Sequence, residues 1–87
     1  MREDLKRQIL RYLMLHTGAR DSPDGIRVWW LEPDCTATLP EVEEALAELV
    51  TLGWVEPRGE GDVHLFGLLA NATDEIRRYL NHGSPRG

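Results

Sequence analysis

The sequence predicts an α+β fold that is mostly α: three helices, a two-stranded β-hairpin and a C-terminal helix. Three observations carry this. Three segments place apolar residues at helical spacing, each with a recognisable start or stop signal. Two short extended segments flank a glycine-rich turn, which is how a hairpin is written. The chain has 87 residues, enough for one domain and no more. At that size only about 60–65% of the unfolded surface is buried, so nearly every long apolar side chain is needed for the core.

The first helix is predicted over Glu3–His16. Leu5, Ile9, Tyr12, Leu13 and His16 recur on one face, Leu10, Met14 and Leu15 widen it, and Lys6, Arg7 and Arg11 lie opposite. Gly18 suits its termination, because glycine enters the left-handed conformation at low cost. In "DSPDGIRVWWL" composition alone suggests a strand. However, Ser22 is a good N-cap, Pro23 suits the first helical position and Asp24 favours the positive end of the dipole. A short helix over Pro23–Leu31 is the expectation, with Ile26, Trp29 and Trp30 at i, i+3, i+4. "EPDCTA" is then a loop.

The third helix opens at Thr38, where Thr-x-x-Glu with Glu41 forms a capping box and Pro40 occupies the first turn without losing an intrahelical bond. Leu39, Val42, Leu46, Leu49 and Val50 make its buried stripe, and Gly53 ends it. Trp54–Pro57 and Val63–Leu69 form the hairpin around the turn Arg58–Asp62. The second strand is apolar on both faces, so Phe66 and Leu68 point either to the last helix or to another chain. That helix runs over Asp74–Asn81, with Ile76, Tyr79 and Leu80 inward and Asn71 or Thr73 as its cap. Residues 1–82 make a single domain and 83–87 a frayed tail.

The stretch "VEEALAELVTLGWVEPRGEGDVHLFGL", Val42–Leu68, resembles the winged helix-turn-helix superfamily. The carrying pattern is Leu46-Ala-Glu-Leu49-Val-Thr-Leu-Gly53-Trp54-Val55 followed by the Gly-rich turn. With the order helix, helix, helix, two-stranded hairpin, helix, which is that of the superfamily, the resemblance covers about three quarters of the chain. One departure is the Glu32–Ala37 connection, longer than the usual tight turn of about 3–4 residues. The resemblance implies that helix three enters the major groove while basic wing residues straddle a backbone.

Charge opposes that inheritance. Net charge is −5, but residues 32–62 hold nine acidic side chains against Arg58 alone, whereas residues 1–31 carry +2. The outward positions of helix three are Pro40, Glu41, Glu43, Glu44, Ala47 and Glu48. Two like charges at 4 Å repel by about 1 kcal/mol in water and about 4 at an effective dielectric of 20. Four glutamates facing phosphate therefore oppose binding by several kcal/mol. The plain alternative is a solvated face, and acids near a helix start also favour the dipole. On the rival reading, a DNA-binding transcriptional regulator, the contacts are Arg58, Lys6, Arg7 and Arg11. Arg20, Arg77 and Arg78 add to them if the first and last helices converge.

No catalytic, cofactor or metal site is expected. Cys35 stands alone, and His16, His64 and His82 show no ligand spacing. "RGEGD" carries acids where a phosphate loop needs bare amides. No apolar run approaches a membrane span and no leader pattern opens the chain, so it is read as cytoplasmic. Trp29 and Trp30 lie about 100° apart on a helix and do not both turn inward easily. Against the plain reading that both are core, one of them then belongs to a partner-binding patch. The leading expectation is a non-catalytic module that binds protein, as a homodimer or an adaptor, through Trp29 or Trp30, Glu41, Glu43, Glu44, Glu48, Phe66 and Leu68. A third reading has the acids mimicking DNA phosphates in another protein's basic groove.

Overall fold

The computed structural model describes residues 2–32, 36–59 and 65–82. Cys35, His64, Val63, the turn residues Glu60–Asp62 and the tail 83–87 lie outside the described residues, as does the side chain of His82.

Helix α1 spans Arg2–Leu15 and begins with Glu3 and Asp4, both favourable to its amino-terminal dipole. Leu5, Ile9, Leu10 and Leu13 are buried on it. Two residues expected on that stripe are not: Leu15 is 80% exposed and His16 is exposed, because the helix ends there and the chain leaves the core. Gln8 is buried instead, donating to Asp4 at 2.9 Å and accepting from the Glu32 amide at 3.0 Å. Gly18 is not in the left-handed region; Gly53 and Gly59 are.

A two-residue strand, β1 (Arg20–Asp21), follows, and its pairing was not expected. Ser22 then caps the next helix as anticipated, its hydroxyl accepting from the Gly25 amide, with Pro23 in the first turn. One α-helical turn, α2 (Pro23–Gly25), passes directly into a π-helical segment, Ile26–Trp30. The expected helix is therefore present but wound more widely than an α-helix.

Helix α3 (Leu39–Thr51) carries the full capping box between Thr38 and Glu41. It buries Val42, Ala45, Leu46 and Leu49, while Leu39 and Val50 are half-buried. It ends in a Schellman arrangement: the Gly53 amide donates to Val50 and the Trp54 amide to Leu49, with Gly53 at φ 80°. Strand β2 (Val55–Arg58) leaves from this exit and pairs antiparallel with β3 (Leu65–Leu68) in the register Val55↔Leu68 to Arg58↔Leu65.

The hairpin is part of a three-stranded sheet of order β1-β3-β2, not an isolated pair. β1 pairs with β3 as Arg20↔Gly67 and Asp21↔Phe66. A Cβ at Gly67 would sit 2.9 Å from Arg20 Cγ, so a larger residue there displaces the exposed Arg20 side chain. β2 is an outer strand, where Pro57 loses no ladder bond if its nitrogen faces outward. A 3-10 turn (Ala70–Ala72) leads into α4 (Thr73–His82), so Asn71 lies in that turn and Thr73 is the first residue of the helix. Ile76 is fully buried. One continuous core joins α1, the π segment, α3, β2 and α4. Among the described residues no helix is long and apolar enough to cross a membrane.

Candidate interaction surfaces

The two adjacent tryptophans part company. Trp30 is 7% exposed and stacks on Tyr12, with ring centroids 4.7 Å apart and planes 12° from parallel. Tyr12 in turn meets His16 at 4.4 Å, so the stack ties the π segment to the last turns of α1. Trp30 is thereby core, and its expected role as a partner contact is corrected. Trp29 is the outward one, 74% exposed, and Val28 beside it is 51% exposed. The cause is angular: with Ile26 and Trp30 both claimed by the core, the residue just before Trp30 must turn away.

The outer face of α3 carries acids as expected, and Glu41 and Glu48 among them make contacts within the fold. Glu41 accepts from the Thr38 amide at 2.8 Å and from its hydroxyl at 3.2 Å. Glu48 receives the Lys6 ammonium at 2.9 Å. Glu43 and Glu44 are exposed. Along this face and the neighbouring flank of α1 runs an open groove of about 360 Å³, lined by Lys6, Ala47, Glu48, Thr51 and Leu52.

Several of the basic residues are paired with acids of the same chain. Lys6, on α1, bridges Glu3 at 3.5 Å as well as Glu48, and the Glu48 hydrogen bond raises its pKa above the usual lysine value. Arg58 lies 2.8 Å from Glu56, its neighbour on the same face of β2. Arg77 pairs with Asp74, and Arg27 with Asp24. Arg7 is half-buried; Arg11, Arg20 and Arg78 are exposed. Helices α1 and α4 do pack together, through the Tyr79 hydroxyl donating to Glu3, yet Lys6 and Arg77 each hold a nearby acid. That hydrogen bond lowers the Glu3 pKa, while burial, followed by the Glu3 carboxylate, raises that of Tyr79.

Phe66 and Leu68 are half-buried and packed against the chain's own core.

The Glu3–Lys6–Glu48 chain with Tyr79 was not anticipated. Its partners are separated by 42 and 76 residues, and nothing local in the sequence marks such pairs. The Arg58–Glu56 pair was legible, since alternate residues of a strand share a face. Among the described residues no group of three or more His, Cys, Asp or Glu side chains is placed to hold a metal ion. Compared with known protein families, with characterised proteins and with solved structures, the chain finds no match in any of the three.

Proposed function

We propose that this chain is a non-catalytic winged-helix module that binds protein, as a homodimer or an adaptor. The observation that carries the reading is Trp29, a large aromatic left 74% exposed with half-exposed Val28 adjoining it. Burying an indole is worth several kcal/mol to a domain this small, and tryptophan is enriched at the energetic centres of protein interfaces. The winged-helix part of the reading is supported by the order of elements and by α3 leaving through Gly53 into β2. The rival DNA-binding reading lacks support at its most important position, for α3 contains no lysine or arginine and Arg58 is occupied by Glu56.

Two measurements test this together. Fluorescence titration of labelled duplex at low salt is expected to show no salt-sensitive binding that depends on Arg58. Sedimentation and capture from a native lysate are expected to show association that Trp29→Ala abolishes. A strict monomer that retains nothing, or duplex binding lost on Arg58→Ala, refutes the proposal.

A further inference from the structure

An antiparallel pair of strands makes its hydrogen bonds at alternate residues, and the Leu69 amide fixes the phase in this hairpin. It donates to the Trp54 carbonyl at 3.0 Å, in the register that sets Val55 opposite Leu68. Trp54 and Leu69 are therefore a hydrogen-bonded pair, and by alternation so are Glu56 with Gly67 and Arg58 with Leu65. The pairs between them, Val55 with Leu68 and Pro57 with Phe66, are not, so the backbone groups of Val55 and Pro57 point away from β3. A proline at 57 agrees with this phase, because its nitrogen has no hydrogen to give a neighbouring strand.

Val55 is 1% exposed, whereas Pro57 is exposed. Of the two β2 residues that face outward, the one with an amide hydrogen is buried and the accessible one has none. An incoming strand meets the Pro57 carbonyl and no accessible donor within β2. The opposite edge of the sheet is β1, which is only two residues long. The next amide along it, that of Ser22, already donates to the Asp21 carboxylate at 2.8 Å. Very short edge strands and edge prolines are means by which a sheet avoids pairing with another chain.

We propose that Pro57 closes the outer edge of β2 to strand addition, so that a second copy of this chain cannot extend the sheet there. Replacing the proline opens that edge to antiparallel pairing, in which the two residues at 57 exchange N–H···O bonds across a two-fold axis. The inference does not depend on Trp29.

Pro57→Thr restores the donor in a residue that favours strands. Trp29→Ala is carried as the background, so that association through that ring does not contribute. Glu56→Thr in the same background is the control, since it introduces the same side chain at a position whose amide faces β3. Sedimentation from about 10 µM to about 1 mM is expected to show Pro57→Thr associating at least ~10-fold more tightly than the background, and Glu56→Thr no more tightly than it. Amide exchange gives a second reading: the hydrogen introduced at 57 is expected to be unprotected in dilute protein and protected in concentrated protein. A Pro57→Thr chain that associates no better than the background overturns the proposal, as do two variants that associate alike. An introduced amide already protected in dilute protein overturns it too, for that hydrogen is then bonded inside the sheet. Because every comparison is made without the Trp29 ring, failure here leaves the interaction reading of Trp29 standing, and failure of that reading leaves this one.

Discussion

Trp29 and Trp30 are neighbours in sequence and opposites in energy, which makes a matched pair of substitutions decisive. A tryptophan buries about 150–250 Å². At about 25 cal/mol per Å², nearly complete burial of Trp30 is worth roughly 4–6 kcal/mol against an extended chain. Allowing for a compact unfolded state lowers this by about 10–40%. The stack on Tyr12 adds about 0.5–1.5 kcal/mol. Trp30→Ala is therefore expected to cost about 3–5 kcal/mol, as large-to-small core changes do. At about 0.05–0.15 kcal/mol per residue, a chain of this length has roughly 4–13 kcal/mol in total, so the variant sits near the edge of folding. Trp29, 74% exposed, keeps about a quarter of that burial, and Trp29→Ala is expected to cost about 1–1.5 kcal/mol. Urea denaturation followed by far-ultraviolet circular dichroism, at a protein concentration too low for association, gives both numbers. Equal losses for the two variants would refute the assignment of one tryptophan to the core and the other to the surface.

Two glycines that look alike in the sequence are expected to respond in opposite directions. Gly53→Ala forces a left-handed residue to carry a Cβ and is expected to cost about 1–2 kcal/mol, whereas Gly18→Ala meets open space outside that region and is expected to be neutral or to gain about 0.4–1 kcal/mol. Thermal melts check this at about 4–8 °C per kcal/mol; a loss at Gly18 as large as at Gly53 would contradict the assignment of the helix exit. Thr38→Ala removes the side-chain half of the capping box and is expected to cost about 1 kcal/mol, read as a lower urea midpoint with an unchanged slope. The Tyr79–Glu3–Lys6–Glu48 cluster sets the pH response. Glu3 has a lowered pKa when folded, so its contribution is present above the ordinary glutamate value of about 4.3 and is lost as pH falls through the folded value. Tyr79 and Lys6 have raised pKa values, so theirs is present below about pH 10 and is lost as pH rises through the folded values. Stability is expected to be flat between these limits, and Tyr79→Phe to flatten the acid limb; an acid limb unchanged by that substitution would exclude the Tyr79–Glu3 bond as its source.

Much of the architecture was legible because its signals are local. Ser22 and Pro23 start a helix, Thr38 and Glu41 cap one, and Gly53 releases the chain into a strand through bonds that span only a few residues. Periodicity likewise placed Val42, Leu46, Leu49 and Ile76 in the core. It failed at Leu15 and His16, where the helical pattern outlasts the core beneath it. It also missed β1, since two residues carry no period and Arg20 and Asp21 become a strand only because β3 lies alongside.

What the sequence determined by itself was the helices and the hairpin, the caps at Ser22 and Thr38, the concentration of acid on α3 and the difficulty of burying both adjacent tryptophans. Only the tertiary structure decided which one is turned out. The Tyr12 ring and the core position of Ile26 claim Trp30, and Trp29 is left exposed by geometry rather than by any property of its own. The same holds for Lys6, which the sequence shows as one more surface cation. It becomes the ion-pair partner of Glu48 because α1 and α3 are folded side by side, and a charge pair between residues so far apart in sequence exists only once that packing has formed.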